Sequence, residues 1–220
     1  MNLIEANEKK FSIYYNFLIE ENKKYNLTAI TGKKEVYIKH FSDSLLMSET
    51  FDLNKNLSVC DVGSGAGFPG IPLKICFPNI SLTIIEPTQK RVRFLQELCE
   101  KLQLDVEIIC ARVEDVSKEY EESFDIVTAR AVAGTNILLE LLVKICKING
   151  KLVLYKGNKA LEEIETAKNA VKQLSLTIDS VNNYDLDDGY GKRYLIVLNK
   201  DNKTNEKYPR RYAEILRKPL

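Results

Sequence analysis

A glycine-rich turn after a short apolar run carries the clearest chemical signal in this chain. The segment reads D-V-G-S-G-A-G-F-P-G from Asp61 to Gly70. Glycine allows backbone torsions that other residues avoid and lets the main chain approach a ligand closely. A helix that begins after such a turn favours an anionic group at its first residues. We therefore expect Gly63 and Gly65 to contact a nucleotide-like cofactor.

The spacing of the glycines alone leaves two classes of cofactor open. The stretch Gly65–Gly70 satisfies G-x-G-x-x-G, the pattern of dinucleotide-binding turns. Asp61 precedes the glycines, the match starts two residues after Gly63, and Pro69 interrupts the turn. These details favour S-adenosyl-L-methionine, because its ammonium and sulfonium groups suit a nearby acid. An NAD-dependent oxidoreductase is the alternative.

Acidic residues follow the next two predicted strands. Glu86 ends the run S-L-T-I-I-E, where a carboxylate can accept hydrogen bonds from both ribose hydroxyls. Glu114, or the backbone at Val113, follows the third strand and is expected to meet an adenine edge. For both acids the competing interpretation is a solvated residue at the end of a strand.

The pattern of elements predicts how these residues are brought together. Residues 1–50 are predicted to be a helical extension, residues 51–200 the core, and residues 201–220 a basic tail. In the core, short apolar runs alternate with amphipathic stretches, including predicted helices at Asn136–Cys146 and Lys159–Leu174. This alternation predicts an α/β fold with a mainly parallel sheet and helices on both faces. A closing hairpin near Gly189 and Gly191 adds one antiparallel edge strand.

Composition limits the other classes of function. The 220 residues carry a formal net charge of +1, so a nucleic-acid surface must come from local clusters of charge. His40 is the only histidine, so no metal-ligand cluster forms, and we expect it to be a hydrogen-bonded helical residue, with contact to the substrate as the alternative. The five cysteines are predicted to be buried free thiols. We expect a cytoplasmic protein with no membrane span, no metal and no obligate protein partner.

The type of methyl acceptor can be narrowed by elimination. Methylation of an exocyclic base amine usually needs a D/N-P-P-Y-type segment after the fourth strand, where this chain has T-A-R-A-V-A. Methylation at cytosine C5 needs a cysteine nucleophile, commonly after proline, and the sequence contains no P-C. A ring nitrogen with a free lone pair, such as guanine N7, needs neither device. Positioning the base in line with the sulfonium can then be enough.

Basic residues cluster despite the near-neutral total. K-R-V-R spans Lys90–Arg93, and the segment Lys192–Leu220 carries nine Lys or Arg against three acids. Tyrosines interleave with the arginines of this segment, as suits phosphate contacts and base stacking. A solvated helix face is the competing interpretation. The candidate RNA contacts are Arg91, Arg93, Lys156, Arg210 and Arg211.

A series of motifs resembles one known family over nearly the whole chain. In order, they are D-V-G-S-G-A-G-F-P-G-I-P-L-K-I, E-P-T-Q-K-R-V-R-F-L, A-R-V-E, T-A-R-A-V-A and L-Y-K-G. H-F-S-D-S-L near the start and the terminal Y-P-R-R and K-P-L extend the match. These motifs resemble the small-subunit rRNA methyltransferase G family (RsmG, also called glucose-inhibited division protein B).

The resemblance implies a class I (Rossmann-like) methyltransferase fold. It also implies methyl transfer from S-adenosyl-L-methionine to N7 of a guanine in the decoding-region loop of 16S rRNA, with 16S rRNA or the 30S subunit as partner. By position, it implies that Gly63, Phe68, Val113, Glu114 and Arg130 contact the cofactor. No residue is assigned a chemical role in catalysis. A small-molecule methyltransferase on the same fold is a further alternative.

Overall fold

A single sheet forms the centre of the molecule. The structure, a computed structural model, describes residues 3–186 and 189–220. Within these residues seven strands follow the order β3-β2-β1-β4-β5-β7-β6. The strands are β1 (Ser58–Val62), β2 (Ser81–Ile85), β3 (Glu107–Ile109), β4 (Phe124–Arg130), β5 (Cys146–Lys156), β6 (Leu176–Asp185) and β7 (Lys192–Lys200).

The direction of the strands confirms the predicted α/β sheet. β1 pairs in parallel with both β2 and β4, and the parallel set continues to β3 and β5. β7 is antiparallel to its neighbours β5 and β6 and forms the predicted hairpin with β6. Residues 187 and 188 of the hairpin loop lie outside the described residues. The strand order reverses between β1 and β4, which opens a crevice at their carboxyl ends, where α/β sheets bind ligands.

Helices cover both faces of this sheet. The extension contains α1 (Leu3–Ala6), α2 (Glu8–Tyr25), α3 (Lys33–Val36), a π-helical turn (Tyr37–Ser42), α4 (Asp43–Leu45) and a 3₁₀ turn (Leu46–Glu49). The remaining helices are α5 (Gly70–Cys76), α6 (Gln89–Leu102), α7 (Val113–Val116), α8 (Thr135–Leu142), α9 (Ala160–Thr166), α10 (Lys168–Gln173) and α11 (Tyr212–Arg217).

The N-terminal helices pack directly on the glycine turn. Phe11, Tyr14 and Phe17 are buried and belong to the same apolar cluster as β1 and β2. Phe17 stacks on Phe94 of α6 with ring centroids 5.3 Å apart. The Tyr14 hydroxyl donates a hydrogen bond to the carbonyl oxygen of Ala66 at 2.5 Å. The extension therefore shapes the turn as well as covering the sheet.

Two predicted helix boundaries were wrong. α8 ends at Leu142, and Cys146 begins β5 instead of ending the helix, because it pairs with Phe124 of β4. The apolar run that contains it fits a buried strand as well as a helix. The predicted helix at Lys159–Leu174 is divided into α9 and α10 at Ala167, where the backbone leaves regular helix. All five cysteines are free, but the prediction that all are buried was wrong for two of them, since Cys76 is half-buried and Cys110, which follows β3, is exposed.

The C-terminal segment is anchored on the helix α8. Tyr208 and Ile215 are buried in the same apolar cluster as Leu139. Arg210 donates hydrogen bonds from its backbone N and its Nε to Glu140, at 2.9 and 2.7 Å. The proposed domain limits at residues 50 and 200 stay predictions, although both end segments bury side chains against the core.

Candidate functional site

The glycine turn follows β1 and has a backbone shape that only glycine fits easily. Gly63 has a φ of +70°, and a Cβ placed there would lie 2.7 Å from Val132 Cγ2. Gly67 has a φ of +100°, and its Cβ would lie 2.6 Å from the Tyr14 hydroxyl. Both positions combine a left-handed backbone with a close neighbour. The turn is therefore in close contact with the loop that follows β4 and with the N-terminal extension.

Asp61 holds the turn together from inside. Its carboxylate is fully buried, and Oδ2 accepts hydrogen bonds from the Ser64 hydroxyl at 2.5 Å and the Gly70 backbone N at 2.8 Å. Burial raises the pKa of Asp61 to about 6, although these two hydrogen bonds act in the opposite direction. The acid that sequence reasoning associated with a cationic ligand thus has a structural role in the turn.

We expect the stability of the wild-type protein, measured relative to the Asp61→Asn variant, to fall by about 2–3 kcal/mol between pH 4 and pH 6. An aspartate in an unfolded chain titrates near pH 3.9, whereas Asp61 titrates at about 6 in the folded protein. Between these values the folded state keeps a proton that the unfolded state has released, so stability falls as pH rises. Urea unfolding of both proteins at several pH values measures the difference, and a pH-independent difference would contradict this assignment.

Glu86, which follows the neighbouring strand β2, forms a hydrogen bond with the glycine turn. It is fully buried. One carboxylate oxygen accepts a hydrogen bond from the Gly65 backbone N at 3.0 Å, and the other accepts from the Thr88 backbone N at 2.9 Å. Arg91 lies 3.6 Å from the same carboxylate. Each oxygen has a second lone pair, so the group can still accept hydrogen bonds from a ligand.

Three cavities open along the carboxyl ends of the parallel strands. The β1–β2 cavity, of about 230 Å³, is lined by Gly63, Glu86, Val113, Glu114, Val132, Tyr212 and their neighbours. The turn cavity, of about 190 Å³, is lined by Thr28, His40, Ser64, Gly65, Phe68, Arg130 and others. The β4–β5 cavity, of about 520 Å³, is lined by His40, Asp43, Arg130, Lys156, Glu163, Arg193 and others.

Ala131 lies at the junction of the three cavities. It lines all of them and follows the last residue of β4. Its φ of +56° is in the left-handed region, which non-glycine residues rarely adopt. Such strain persists only where the surrounding structure imposes it, and it concentrates at functional sites. The geometry therefore makes the end of β4 the point where two ligands could meet.

One acid in the β1–β2 cavity has an atom without a hydrogen-bond partner. Oε1 of Glu114 is buried and accepts no hydrogen bond from the described residues. Arg112 lies 3.8 Å from it, beyond hydrogen-bond distance. Leaving such an acceptor buried is unfavourable. An amino group of a bound molecule would satisfy it.

Arg130 is fixed by a network of charges between the turn and the β4–β5 cavity. Its NH1 donates a hydrogen bond to Asp43 Oδ2 at 2.6 Å, and its guanidinium lies 4.8 Å from the centre of the Phe68 ring. Arg193 of β7 approaches the other oxygen of Asp43 at 3.1 Å. Asp43 is only 3% exposed and lies between two arginine side chains that are 13% and 28% exposed.

His40 packs against the same arginine. Its ring stacks on Phe68 at 4.5 Å, and its Nε2 lies 2.9 Å from the Thr28 hydroxyl. Burial and the positive charge of Arg130 lower the pKa of His40 to about 4. The histidine is therefore a neutral, hydrogen-bonded helical residue near pH 7, as the sequence predicted, and it also lines two of the cavities.

The predicted cofactor contacts come together, but the basic candidates do not form one surface. All the predicted cofactor contacts line the adjacent β1–β2 or turn cavity: Gly63, Gly65, Phe68, Glu86, Val113, Glu114 and Arg130. Arg91 lies at the rim of both cavities. Lys156 is buried in the β4–β5 cavity, Arg210 is bonded to Glu140, and Arg93 and Arg211 are exposed.

Several residues of the site were not found by sequence reasoning. They are Asp43, Ala131, Glu163, Arg193 and Tyr212. Tyr212 comes from the C-terminal segment and reaches the β1–β2 cavity, where the Arg112 guanidinium lies 5.1 Å from its ring centre. For Asp43, the only signal in the sequence was the H-F-S-D-S-L motif that contains it, and this motif indicated no role for the acid.

Across residues 3–186 and 189–220, no group of three or more His, Cys, Asp or Glu is placed to hold a metal ion. None of the helices within these ranges is both long and apolar enough to cross a membrane.

Solved structures with the same fold include several methyltransferases. A SAM-dependent methyltransferase from Aquifex aeolicus matches with a TM-score of 0.57 and 18% identity, over 76% of this chain and 93% of that one. TYW2 of M. jannaschii in complex with AdoMet matches with a TM-score of 0.55 and 20% identity, over 71% and 74%. The [4+2]-cyclase SpnF matches equally well, with a TM-score of 0.57 and 14% identity over 74% and 80%. These matches show a class I methyltransferase fold, and the cyclase illustrates that the fold alone does not define a reaction.

Sequence comparison is more specific. The chain is 49% identical to the ribosomal RNA small subunit methyltransferase G of Mycoplasma capricolum subsp. capricolum, over 96% of this chain and 90% of that protein. It is 43% identical to the protein of the same name from Staphylococcus aureus, over 100% and 93%. Residues 7–188 match the family described as GidB: rRNA small subunit methyltransferase G. This chain therefore belongs to the rRNA small subunit methyltransferase G family.

Proposed function

We propose that this protein transfers a methyl group from S-adenosyl-L-methionine to N7 of a guanine in the decoding-region loop of small-subunit rRNA. The observation that carries the proposal is the junction at Ala131. There, the β1–β2 cavity, whose lining includes the acids Glu86 and Glu114, and the turn cavity, lined by the glycine turn, meet a larger cavity with several cationic side chains. Family membership favours methyl transfer over the dinucleotide alternative.

The cofactor cavities fit adenosylmethionine in several respects. The left-handed turn at Gly63 and Gly65 leaves backbone exposed to a ligand, and no atom lies within 4 Å of a Cβ built on Gly65. Glu86 lines the β1–β2 cavity, and its remaining lone pairs are proposed to accept hydrogen bonds from ribose hydroxyls. The unsatisfied Oε1 of Glu114 suits the exocyclic amine of adenine. The proposed cofactor contacts are Gly63, Gly65, Phe68, Glu86, Val113, Glu114 and Arg130.

The acceptor is assigned to the β4–β5 cavity. Its lining carries four cationic side chains against two acids, as suits the phosphates and the carbonyl oxygen of a guanine nucleotide; the cations are Lys39, Arg130, Lys156 and Arg193, and the acids are Asp43 and Glu163. When bound, the sulfonium supplies an electrophilic methyl group. Guanine N7 would accept this methyl group through its lone pair, the S–C bonding pair would stay on the departing sulfur, and no proton would have to leave the base. The protein therefore has to position the base and needs no general base.

The exposed arginines are the candidates for contacts outside the cavity. Arg91 and Arg93 share the first turns of α6, and Arg91 also reaches the cofactor cavities. Arg211 is exposed on the C-terminal segment. Lys156 acts inside the acceptor cavity, and the ion pair with Glu140 leaves Arg210 a structural role. Exposed contacts of this kind make binding depend on salt.

The test is methyl transfer from labelled adenosylmethionine to small-subunit RNA that lacks its native methyl groups. We expect the label in one guanine, with strand cleavage by borohydride and aniline identifying N7-methylguanine. Naked 16S rRNA and intact 30S subunits are assayed in parallel. The Gly63→Val variant, whose side chain would collide with Val132, serves as a control that should not bind cofactor.

Other outcomes select the alternatives. Label that appears only in a small molecule from a cell extract would support a small-molecule methyltransferase. Calorimetric binding of NADH without binding of adenosylmethionine would support an oxidoreductase. Label in RNA at an exocyclic amine or a ring carbon would keep the enzyme class and overturn the N7 assignment.

A further inference from the structure

An ion pair that lines the β4–β5 cavity includes polar atoms that form no hydrogen bond within the described residues. Lys156 ends β5, and Glu163 lies on α9. Lys156 Nζ donates hydrogen bonds to Glu163 Oε2 and to the Ala133 carbonyl oxygen, each at 2.7 Å. Two of the three ammonium protons are thus engaged, and both side chains line the cavity.

The two oxygens of Glu163 have different surroundings. Oε2 accepts hydrogen bonds from the Thr135 backbone N at 2.9 Å, the Thr135 hydroxyl at 2.8 Å and Lys156. Oε1 accepts none from residues 3–186 or 189–220, and the side chain is 31% exposed. Burial acts to raise the pKa of Glu163, but the hydrogen bonds from Lys156 and Thr135 outweigh it and lower the pKa overall. Glu163 therefore presents an ionised acceptor to the cavity, directly beside the cationic donor Lys156.

We propose that Glu163 and Lys156 read the Watson–Crick edge of the acceptor guanine, with Glu163 Oε1 accepting from N1–H and Lys156 donating to O6. This inference rests on the proposed function. The O6 acceptor and the N1–H donor are neighbours on guanine, as the ammonium and the carboxylate are on the protein. Adenine presents the opposite polarity, a donor at N6 and an acceptor at N1, so both contacts become repulsive.

The positions of Glu163 and Lys156 also determine the direction in which N7 of the bound guanine faces. On guanine, N7 and N1 lie on opposite sides of O6. Glu163 and Lys156 line only the β4–β5 cavity, whereas Arg130 and Ala131 also line a cofactor cavity. A base with N1 at Glu163 therefore turns its N7 edge away from α9 and towards the Ala131 junction. The volume of about 520 Å³ is enough for one base taken out of its stack.

The Glu163→Gln substitution tests this polarity sharply. Three donors surround the position of Oε2, so the amide oxygen of glutamine should occupy it and the NH₂ group should take the place of Oε1. The cavity would then present a donor in place of an acceptor. We expect wild-type protein to prefer guanine over adenine at the acceptor position by at least about 100-fold in kcat/KM, and Glu163→Gln to lower that ratio at least about tenfold.

Three otherwise identical RNAs, with guanine, inosine or adenine at the acceptor position, separate base reading from general damage. Inosine keeps O6 and N1–H, so it should follow guanine in both proteins. Glu162→Gln is the matched control, because Glu162 is the exposed neighbour of Glu163 on α9. It should keep the wild-type ratio. The unfolding temperature and the Kd for adenosylmethionine are measured for each variant.

The outcomes distinguish the inference from the function on which it rests. An unchanged ratio of guanine to adenine in Glu163→Gln would overturn the base-reading role, even if activity falls on every substrate. If Glu163→Gln does not fold, Lys156→Met serves instead, since loss of the O6 donor should lower the same ratio, and an unchanged ratio there would overturn the proposal. Wild-type protein that methylates none of the three RNAs, whether free or assembled into subunits, would overturn both proposals.

Discussion

Asp43→Asn is expected to lower the free energy of unfolding by about 3–5 kcal/mol, the range found when one partner of a buried ion pair is removed. Asp43 is 3% exposed and lies between Arg130 at 2.6 Å and Arg193 at 3.1 Å. An asparagine keeps the shape but leaves two guanidinium groups facing a neutral amide. Because each kcal/mol shifts Tm by about 2–4 °C in a domain of this size, the unfolding temperature should fall by roughly 6–20 °C.

Asp52→Asn is the matched control for this prediction. Asp52 is 54% exposed, and its partner Lys55 lies 3.7 Å away and is 70% exposed. Exposed pairs of this kind contribute about 0–1 kcal/mol. Urea unfolding of both variants beside the wild type gives the comparison. A loss below 1 kcal/mol in Asp43→Asn would mean that other groups neutralise the two arginines.

The same substitution should affect cofactor binding. Asp43 holds Arg130 in contact with Phe68, and both residues line the turn cavity. A misplaced Arg130 should weaken binding of adenosylmethionine at temperatures where the variant is still folded. Calorimetry well below the unfolding transition separates this effect from the loss of stability.

The glycine turn and the sheet could be predicted because they depend on local sequence. Gly63 and Glu86 each follow a short apolar run, and the alternation of such runs with amphipathic helices predicts a mainly parallel sheet. The expected position of the cofactor then follows, because α/β sheets bind ligands at the carboxyl ends of their strands. The fold confirms that these residues meet, although their contacts with a cofactor stay predictions.

The charge network could not be predicted, because its members are far apart in sequence. Asp43 and Arg130 are 87 residues apart, and neither has a local partner that would mark it. Asp61 was associated with a ligand because the sequence does not reveal that the turn folds back over it. Glu163 is one of three acids in E-E-I-E, and its contacts with Lys156 on β5 and with Thr135, 28 residues away, distinguish it.

Two adjacent arginines just before the C-terminal helix also show that contacts between distant residues cannot be predicted from the local sequence. Arg210 and Arg211 are indistinguishable candidates for RNA binding in the sequence Y-P-R-R. In the structure Arg210 bonds to Glu140, which is fully buried, and the contact with Glu140 raises the pKa of Arg210. Arg211 is exposed. Neighbouring residues of one type therefore have separate expected roles.

Arg210→Met is expected to lower the free energy of unfolding by about 3–5 kcal/mol, because it leaves the Glu140 carboxylate buried without a counter-charge. Arg210 also donates a hydrogen bond to the Lys218 carbonyl oxygen at 3.0 Å, so the substitution should loosen the end of the C-terminal segment as well. Chemical unfolding measures the first effect, and amide hydrogen exchange in α11 measures the second.

Arg211→Met is the matched comparison and should give the opposite result. We expect a change in stability within about 0.5 kcal/mol, as for most exposed substitutions. If Arg211 contacts a phosphate, its loss should weaken binding to small-subunit RNA and reduce the slope of log K against log salt by about 1. Adding Glu140→Met to Arg210→Met should restore most of the lost stability, since removing both buried charges is far less unfavourable than leaving one. If the double variant stays as unstable as Arg210→Met, the loss comes from disrupted packing of the segment, and the buried charge does not explain it.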